Sequence, residues 1–390
     1  MSKPLIQTDQ GFFMRIAVVG RGLIGSAAAR HLTLMGHEVT LIGPSEPTEF
    51  ATHNGPFGSH YDEGRITRGL DPYPFWSRVS LASISRYRDI EAASGVPFFN
   101  EVGAMMSGPA DSDYVHSLET VMAGNGVMAE RFDGAEIAAR FPYFQFPDDT
   151  RAYYQPKEAG HISPRNLVRA QGIAATRGGA QIIDAEVLDV RDGVTGAVIK
   201  LAGQTLRFDR AIVAAGGFTN KLMDDALPLT VYARTVAMFR VTDAEAARLA
   251  WMPSLIHVYP TGEDPYLLPA IKYPDGHHYL KIGGDRVDIE LTNDEDMRDW
   301  FRSGGSVEVG EMLTDMIRDR MPDLAIQEVV VKPCVTTFTP HNHPIIDMLG
   351  NHIVVAVAGC GRGAKNSDEL GRLAAEAVMG RTDPDTRVPV

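Results

Sequence analysis

The chain has 390 residues, a formal net charge of −13 at pH 7 and 44% hydrophobic residues. It holds no basic run and no apolar stretch near the ~20 residues of a spanning helix, which argues against nucleic acid and against a membrane as partner. Two cysteines, Cys334 and Cys360, argue for a reducing, cytoplasmic setting and against a disulfide framework.

Residues 1–13 are polar and lack an apolar signal segment, so a short disordered extension is expected there, with Met14 an alternative start. Ile16 to Val19 then reads as a strand leading into Gly20-Arg21-Gly22-Leu23-Ile24-Gly25, after which Ala27, Ala28, His31, Leu32 and Met35 recur at helical spacing. Strand, glycine turn and helix in that order predict a dinucleotide site. Gly20 makes the tight turn, Gly22 removes a Cβ that would block the pyrophosphate, and Gly25 lets the helix lie close on the strand. The helix N-terminus, with the N–H groups of Leu23 and Ile24, faces the anion.

A second strand is expected over 38–42, and at its end the carboxylate that usually binds the ribose hydroxyls is missing, because the chain runs on as Gly43-Pro44-Ser45-Glu46. Three readings stay open at this point. Ser45 or Glu46 reaches the ribose from the turn, other groups hold the adenosine, or Arg21 receives the 2′-phosphate of NADP, which would make the chain an NADP-dependent dehydrogenase.

Further along, Ser59-His60-Tyr61-Asp62-Glu63-Gly64-Arg65-Ile66-Thr67-Arg68 follows a glycine-punctuated loop. A helix is predicted over 76–90, a short one over 133–140, and another from Pro164 to about Thr176 with Ser163 as its N-cap. Residues 181–190, 196–201 and 205–208 read as a three-stranded meander, and 210–215 as a buried strand ending in Gly216-Gly217. A second β-rich region spans about 231–282. Ile353 to Val357 leads into Gly359-Cys360-Gly361-Arg362-Gly363-Ala364-Lys365, and a helix over 368–379 closes the chain. Two close histidine groups, His277-His278 and His341-Asn342-His343, lack a third ligand nearby, so no metal site is expected.

The glycine turn, the 59–68 segment, Tyr279-Leu280-Lys281-Ile282-Gly283, and the stretch from Cys334 through His343-Pro344-Ile345-Ile346-Asp347 to Lys365 resemble the amine-oxidising flavoproteins of the D-amino acid oxidase superfamily, the sarcosine oxidase and N-methyltryptophan oxidase group. The resemblance covers Arg15 to about Arg381. It implies an α/β plus β fold, with a Rossmann-type FAD-binding domain over 14–75, 155–225 and 333–390 and an interleaved antiparallel-sheet substrate domain over 76–154 and 226–332. It also implies FAD held by Gly20, Gly22, Leu23, Ile24, Gly25, Ser45, Ser59, Arg65, Val187, Ala215, Gly216, Cys334, Gly361, Gly363 and Lys365, with Cys334 as a covalent attachment point.

By the same resemblance Lys281 speeds the reaction of reduced flavin with O2, while Arg65, His60 and Tyr61 stand at the reacting centre. Arg68 and Lys365 clamp a substrate carboxylate. Asp285 and Ala364 stand where relatives carry a histidine and a bulky aromatic, and Tyr61 where they carry a second histidine, which points away from sarcosine and towards a larger or cationic N-substituted amino acid. The implied reaction oxidises a secondary amine to an imine with O2 reduced to H2O2. Its alternatives are a dehydrogenase of the same fold passing electrons to a quinone or protein carrier, and the NADP enzyme above. The expected partners are a small amine or amino acid and O2, and the expected state is a monomer or small homo-oligomer.

Overall fold

The structure is a computed structural model that describes residues 13–223, 226–285 and 287–387. The expected N-terminal extension lies, through residue 12, outside the described residues.

The glycine turn rises from a six-stranded sheet in the order Ile345–Leu349, Ile353–Val357, Arg210–Val213, Arg15–Val19, Glu38–Ile42, Gln181–Ile183. All neighbours are parallel except the first pair. Ile16, Val18, Val39, Leu41, Ile212 and Val354 are buried, as expected of strands covered on both faces. Val19 is level with both Ile42 and Val213, and Val213 with Val355, so three strands end together, the fourth runs on to Val357, and their loops open at one edge. That carboxyl edge is where ligands bind in such sheets.

The turn helix, Leu23–Leu34, buries Ala27, Ala28 and Leu32 and crosses the last helix, Gly363–Val378. The crossing is close because the facing residues are small: a Cβ on Gly371 would come within 2.5 Å of the Ala27 Cβ. This last helix begins five residues before the expected 368, so Lys365 sits in its first turn rather than in a loop.

A nine-stranded sheet forms the second layer. Its path is Ile289–Glu290, Thr230–Val241, His278–Gly283, Tyr266–Lys272, Ser254–His257, Ala104–Pro109, Thr150–Gln155, Glu130–Asp133, with Glu328–Phe338 also paired to Thr230–Val241. A small separate sheet consists of Arg65–Thr67, Gly160–Ile162 and Phe99–Asn100, and Ser254 Oγ of the nine-stranded sheet donates to its Gly160 carbonyl at 3.0 Å.

Four local expectations need correction. The strand expected over 181–190 is two strands in different sheets, Gln181–Ile183 beside Glu38–Ile42 and Val187–Asp192 in the meander with Ala197–Leu201 and Gln204–Phe208. The chain turns between them, where Asp184 accepts from the Ser45 N–H at 3.0 Å and Ala185 N–H reaches Ile183 O at 3.1 Å. The helix expected over 76–90 is two, Pro74–Ile84 and Tyr87–Ser94, broken where Arg86 turns its guanidinium to the buried Asp368 at 2.6 Å. In the short helix only Ala135–Arg140 is helical, because Asp133 ends a strand. The domain division expected at 332/333 falls inside the strand Glu328–Phe338, with Cys334 in the middle of that strand. Pro333 is tolerated there because this strand pairs on one side only. By contrast the helix Pro164–Arg177 starts as expected, with Ser163 Oγ accepting from Asn166 N–H at 3.1 Å.

Candidate active site

At the open edge of the six-stranded sheet lies a cavity of about 260 Å³ that runs from the glycine turn, past Ile42 and Gly43, to Arg65, Cys334 and Gly361. Gly20 has φ +108°, and a Cβ there would sit 2.2 Å from Ala214 O; one on Gly25 would sit 1.9 Å from Gly20 O. Both glycines are therefore required by backbone contacts within the fold. Gly22 differs, because a Cβ there would meet only His60 Nδ1, at 3.8 Å, and the space over it belongs to the cavity.

Gly22 is also the N-cap of its helix, with no side-chain cap and no acid in the first turn. The helix Gly363–Val378 likewise starts at the cavity without a side-chain cap or early acid. Two sets of unpaired N–H groups and two positive helix ends thus face one space, a cradle suited to a pyrophosphate.

Gly43 occupies the usual ribose-carboxylate position for a steric reason: its Cβ would lie 2.8 Å from the Arg21 N. The acidic groups nearby come from elsewhere in the chain. Ser45 Oγ and N–H both bond Asp184, Arg21 Nη1 lies 3.3 Å from the same carboxylate, and Glu46 accepts both arms of Arg165 at 2.8 Å. Neither Ser45 nor Glu46 lines the cavity, whereas Glu186, which the sequence reading passed over, does. Arg21, the residue on which an NADP reading depended, is engaged by Asp184.

Of the residues expected to hold the cofactor, Gly20, Gly22, Leu23, Ile24, Ser59, Arg65, Val187, Ala215, Gly216, Cys334, Gly361 and Gly363 line the cavity, while Gly25, Ser45 and Lys365 do not. Cys334 Sγ is 3.3 Å from Arg65 Nη2, and Trp300 Nε1 donates to the Cys334 carbonyl at 2.8 Å, fixing the strand at that point. Nearby, Phe57 stacks on Phe301 at 4.8 Å and closes the wall.

His60 stands beside Gly22 rather than at the Arg65 end, its ring 4.6 Å from that of Tyr61. Burial, and then the cations of Arg165, Arg21 and Arg65, push its imidazole down to about 3, so it is neutral at pH 7 and available as a hydrogen-bond acceptor. Burial, and then Glu46, push the Tyr61 phenol up to about 12, so it keeps its proton.

Behind Arg65 lies Lys281, fully buried, on the face of its strand opposite Leu280 and Ile282. Both faces of that strand are therefore interior. Lys281 pairs with Asp62 and donates to Gly64 O.

Arg68 and Lys365 come together, but on a protein carboxylate. Asp71, with no exposed surface, accepts from Lys365 Nζ at 2.8 Å and Arg68 Nη2 at 3.3 Å, with Arg362 Nε 3.4 Å away. Burial would raise the Asp71 pKa, yet Lys365, Arg68 and Arg362 hold it well below the usual carboxylate range. Burial, and then Arg68, push the Lys365 ammonium down to about 7. Arg68 Nε and Tyr114 OH are buried beside this cluster without hydrogen-bond partners among the described residues, so donors remain for a ligand. Asp285 is turned away from the cavity, its two oxygens taken by Thr235 N–H at 3.0 Å and Val287 N–H at 2.8 Å. Sequence reasoning missed Asp62, Asp71 and Arg362, although the first lies inside the 59–68 segment and the last beside Lys365.

Among the described residues no helix is long and apolar enough to cross a membrane. A family model described as FAD dependent oxidoreductase matches residues 15–377. The chain is 28% identical over 375 residues to the monomeric sarcosine oxidase of Streptomyces avermitilis, covering 93% of each chain. To the peroxisomal sarcosine oxidase of Mus musculus it is 23% identical over 381 residues, covering 96% of this chain and 93% of that one. Among solved structures it is similar to the open form of NikD, an amino acid oxidase essential for nikkomycin biosynthesis, with a TM-score of 0.73, 20% identity and 96% of each chain covered.

Proposed function

The chain belongs to the FAD dependent oxidoreductase family, and from that premise we propose that it oxidises a secondary amine, an N-alkylated amino acid, to the imine and reduces O2 to H2O2. Sarcosine oxidases among its relatives support the amine as substrate. The observation that carries the reading is the single cavity that joins a two-helix pyrophosphate cradle to Arg65 and Cys334, with Lys281 directly behind. When bound, FAD accepts the hydride from the carbon next to nitrogen and passes the electrons on.

The chain's own residues bind and polarise. Arg68 and Lys365, already oriented by Asp71, hold the substrate carboxylate together with Tyr114 OH, which fixes the adjacent C–N unit. Arg65 and Lys281 disfavour an ammonium near them, so the amine binds with its lone pair available and needs no strong general base. His60, neutral and beside Gly22, serves the cofactor side of the site rather than the amine. Lys281 supplies a buried positive charge where oxygen is reduced. Cys334 Sγ would be the attachment point for the cofactor, its bond taking the place of the thiol hydrogen and one cofactor hydrogen, with O2 as the two-electron oxidant.

The test is anaerobic mixing of the yellow holoprotein with N-methyl and cyclic amino acids. Rapid loss of the flavin colour with one of them is expected, and a flavin that none of them reduces contradicts the amine assignment. Acid precipitation tests the attachment: a yellow pellet is expected, and a colourless pellet with the flavin in the supernatant removes Cys334 from that role.

A further inference from the structure

The segment that delivers Arg65 to the cavity also delivers a carboxylate to Lys281. Asp62 Oδ2 pairs with both Lys281 and Arg65, while its Oδ1 accepts from Tyr273 OH at 2.8 Å and from the Glu63 N–H at 2.8 Å. Lys281 Nζ has a second acceptor, the Gly64 carbonyl, and no exposed surface through which water would replace either.

Of the other groups facing this ammonium only Cys334 favours its charge, and by less than burial and Arg65 oppose it. From the neighbouring strand Tyr266 presents its ring 5.6 Å away, and burial keeps both its phenol and that of Tyr273 protonated. His161, from the small sheet, is held neutral by burial and then by Lys281 itself. Arg65 is a like charge, and Cys334 lies beyond it. On the adjacent strands Met238 and Leu268 are the residues opposite Lys281, and the Arg240–Glu328 pair two positions along closes on itself at 2.8 Å. Burial and the Arg65 charge both pull the Lys281 ammonium well below its ordinary range. A buried amine beside a guanidinium loses its proton unless a carboxylate is in contact with it.

We propose that Asp62 is the positioning residue that keeps Lys281 protonated and aims it, so that the charge assigned above to oxygen reduction exists at working pH. This rests on the oxygen role of Lys281, and the test separates the two. In FAD-loaded protein labelled at lysine 13Cε, the Lys281 resonance is identified by its disappearance in Lys281→Met. Asp62→Asn keeps the shape and removes the charge. The Lys281 titration midpoint is expected to fall by at least about one pH unit, tenfold in proton affinity. Reoxidation of reduced flavin should slow at neutral pH and recover as the pH is lowered, and Asp62→Glu should restore both.

An unchanged midpoint in Asp62→Asn overturns the proposal. A lowered midpoint with an unmoved reoxidation rate upholds the pairing and overturns the oxygen role of Lys281 instead. Should Asp62→Asn alone not fold, Asp62→Asn/Arg65→Gln removes opposite charges together and is compared with Arg65→Gln. A midpoint no lower in the double variant overturns the proposal equally.

Discussion

At the glycine turn the backbone shapes the cavity: Gly20 and Gly25 are packed against carbonyls, Gly22 is left open, and helix N–H groups face the space. Around Arg65 and Asp71, side chains from distant segments meet as buried ions. The first arrangement rests on backbone contacts, of Gly25 with Gly20 and of Gly20 with Ala214, that leave no room for a Cβ at Gly20 or Gly25. The second depends on pairs 219 and 294 residues apart, Asp62 with Lys281 and Asp71 with Lys365, and is sensitive to each charge. Damage to the turn should therefore appear in folding and cofactor retention, and damage to the ion clusters in individual steps of the reaction.

The largest effect is expected at Lys281. Lys281→Met should slow flavin reoxidation by about 10²–10³, the scale for one preorganised electrostatic group, while reduction by substrate changes little. Stopped-flow measurement of the two half-reactions checks this. Equal rates of reoxidation in variant and parent would make Lys281 a structural partner of Asp62.

At the Asp71 cluster, Arg68→Ala and Lys365→Ala should each weaken carboxylate inhibitors by roughly ten- to hundredfold, the loss of one charge-assisted partner at about 1.5–3 kcal/mol. The pH dependence sharpens this. An anion binds the protonated Lys365, whose pKa is pushed down to about 7, so inhibitor affinity should be full below that pH and fall about tenfold per unit above it, with a proton taken up on binding. Flavin absorbance titrations read both effects, and a flat pH profile would exclude Lys365 from the anion site.

At the turn the expected change is smaller and of another kind. Gly25→Ala forces a Cβ to 1.9 Å from Gly20 O and should lower stability by about 1–3 kcal/mol in denaturant unfolding. Gly22→Ala, with space for its Cβ in the protein alone, should leave apoprotein stability within about 0.5 kcal/mol and lose FAD instead. The reverse ranking would mean that the turn is not held by these contacts.

What the sequence disclosed follows the same division. The turn was legible because its glycines, strand and helix are contiguous, and the sheet edge that opens beside it was foreshadowed by the apolar strands at 210–215 and 353–357. The break at Ser85-Arg86 was not legible, because its reason, Asp368, lies 282 residues away from Arg86. Strand alternation puts Lys281 on the face away from Leu280 and Ile282, but that face is a second buried surface, which alternation alone does not reveal. Arg68 and Lys365 were legible as residues, whereas the Asp71 between them was not. An acid three positions after an arginine in a loop carries no periodic signal, and only the fold brings the lysine to it.

The central claim, amine oxidation coupled to oxygen, is tested most directly by the yield of hydrogen peroxide per amine consumed when substrate-reduced holoprotein is mixed with air-saturated buffer. The account predicts one H2O2 for each amine oxidised, with no added carrier. Flavin that stays reduced in air and is reoxidised only by a quinone or a protein acceptor would contradict it.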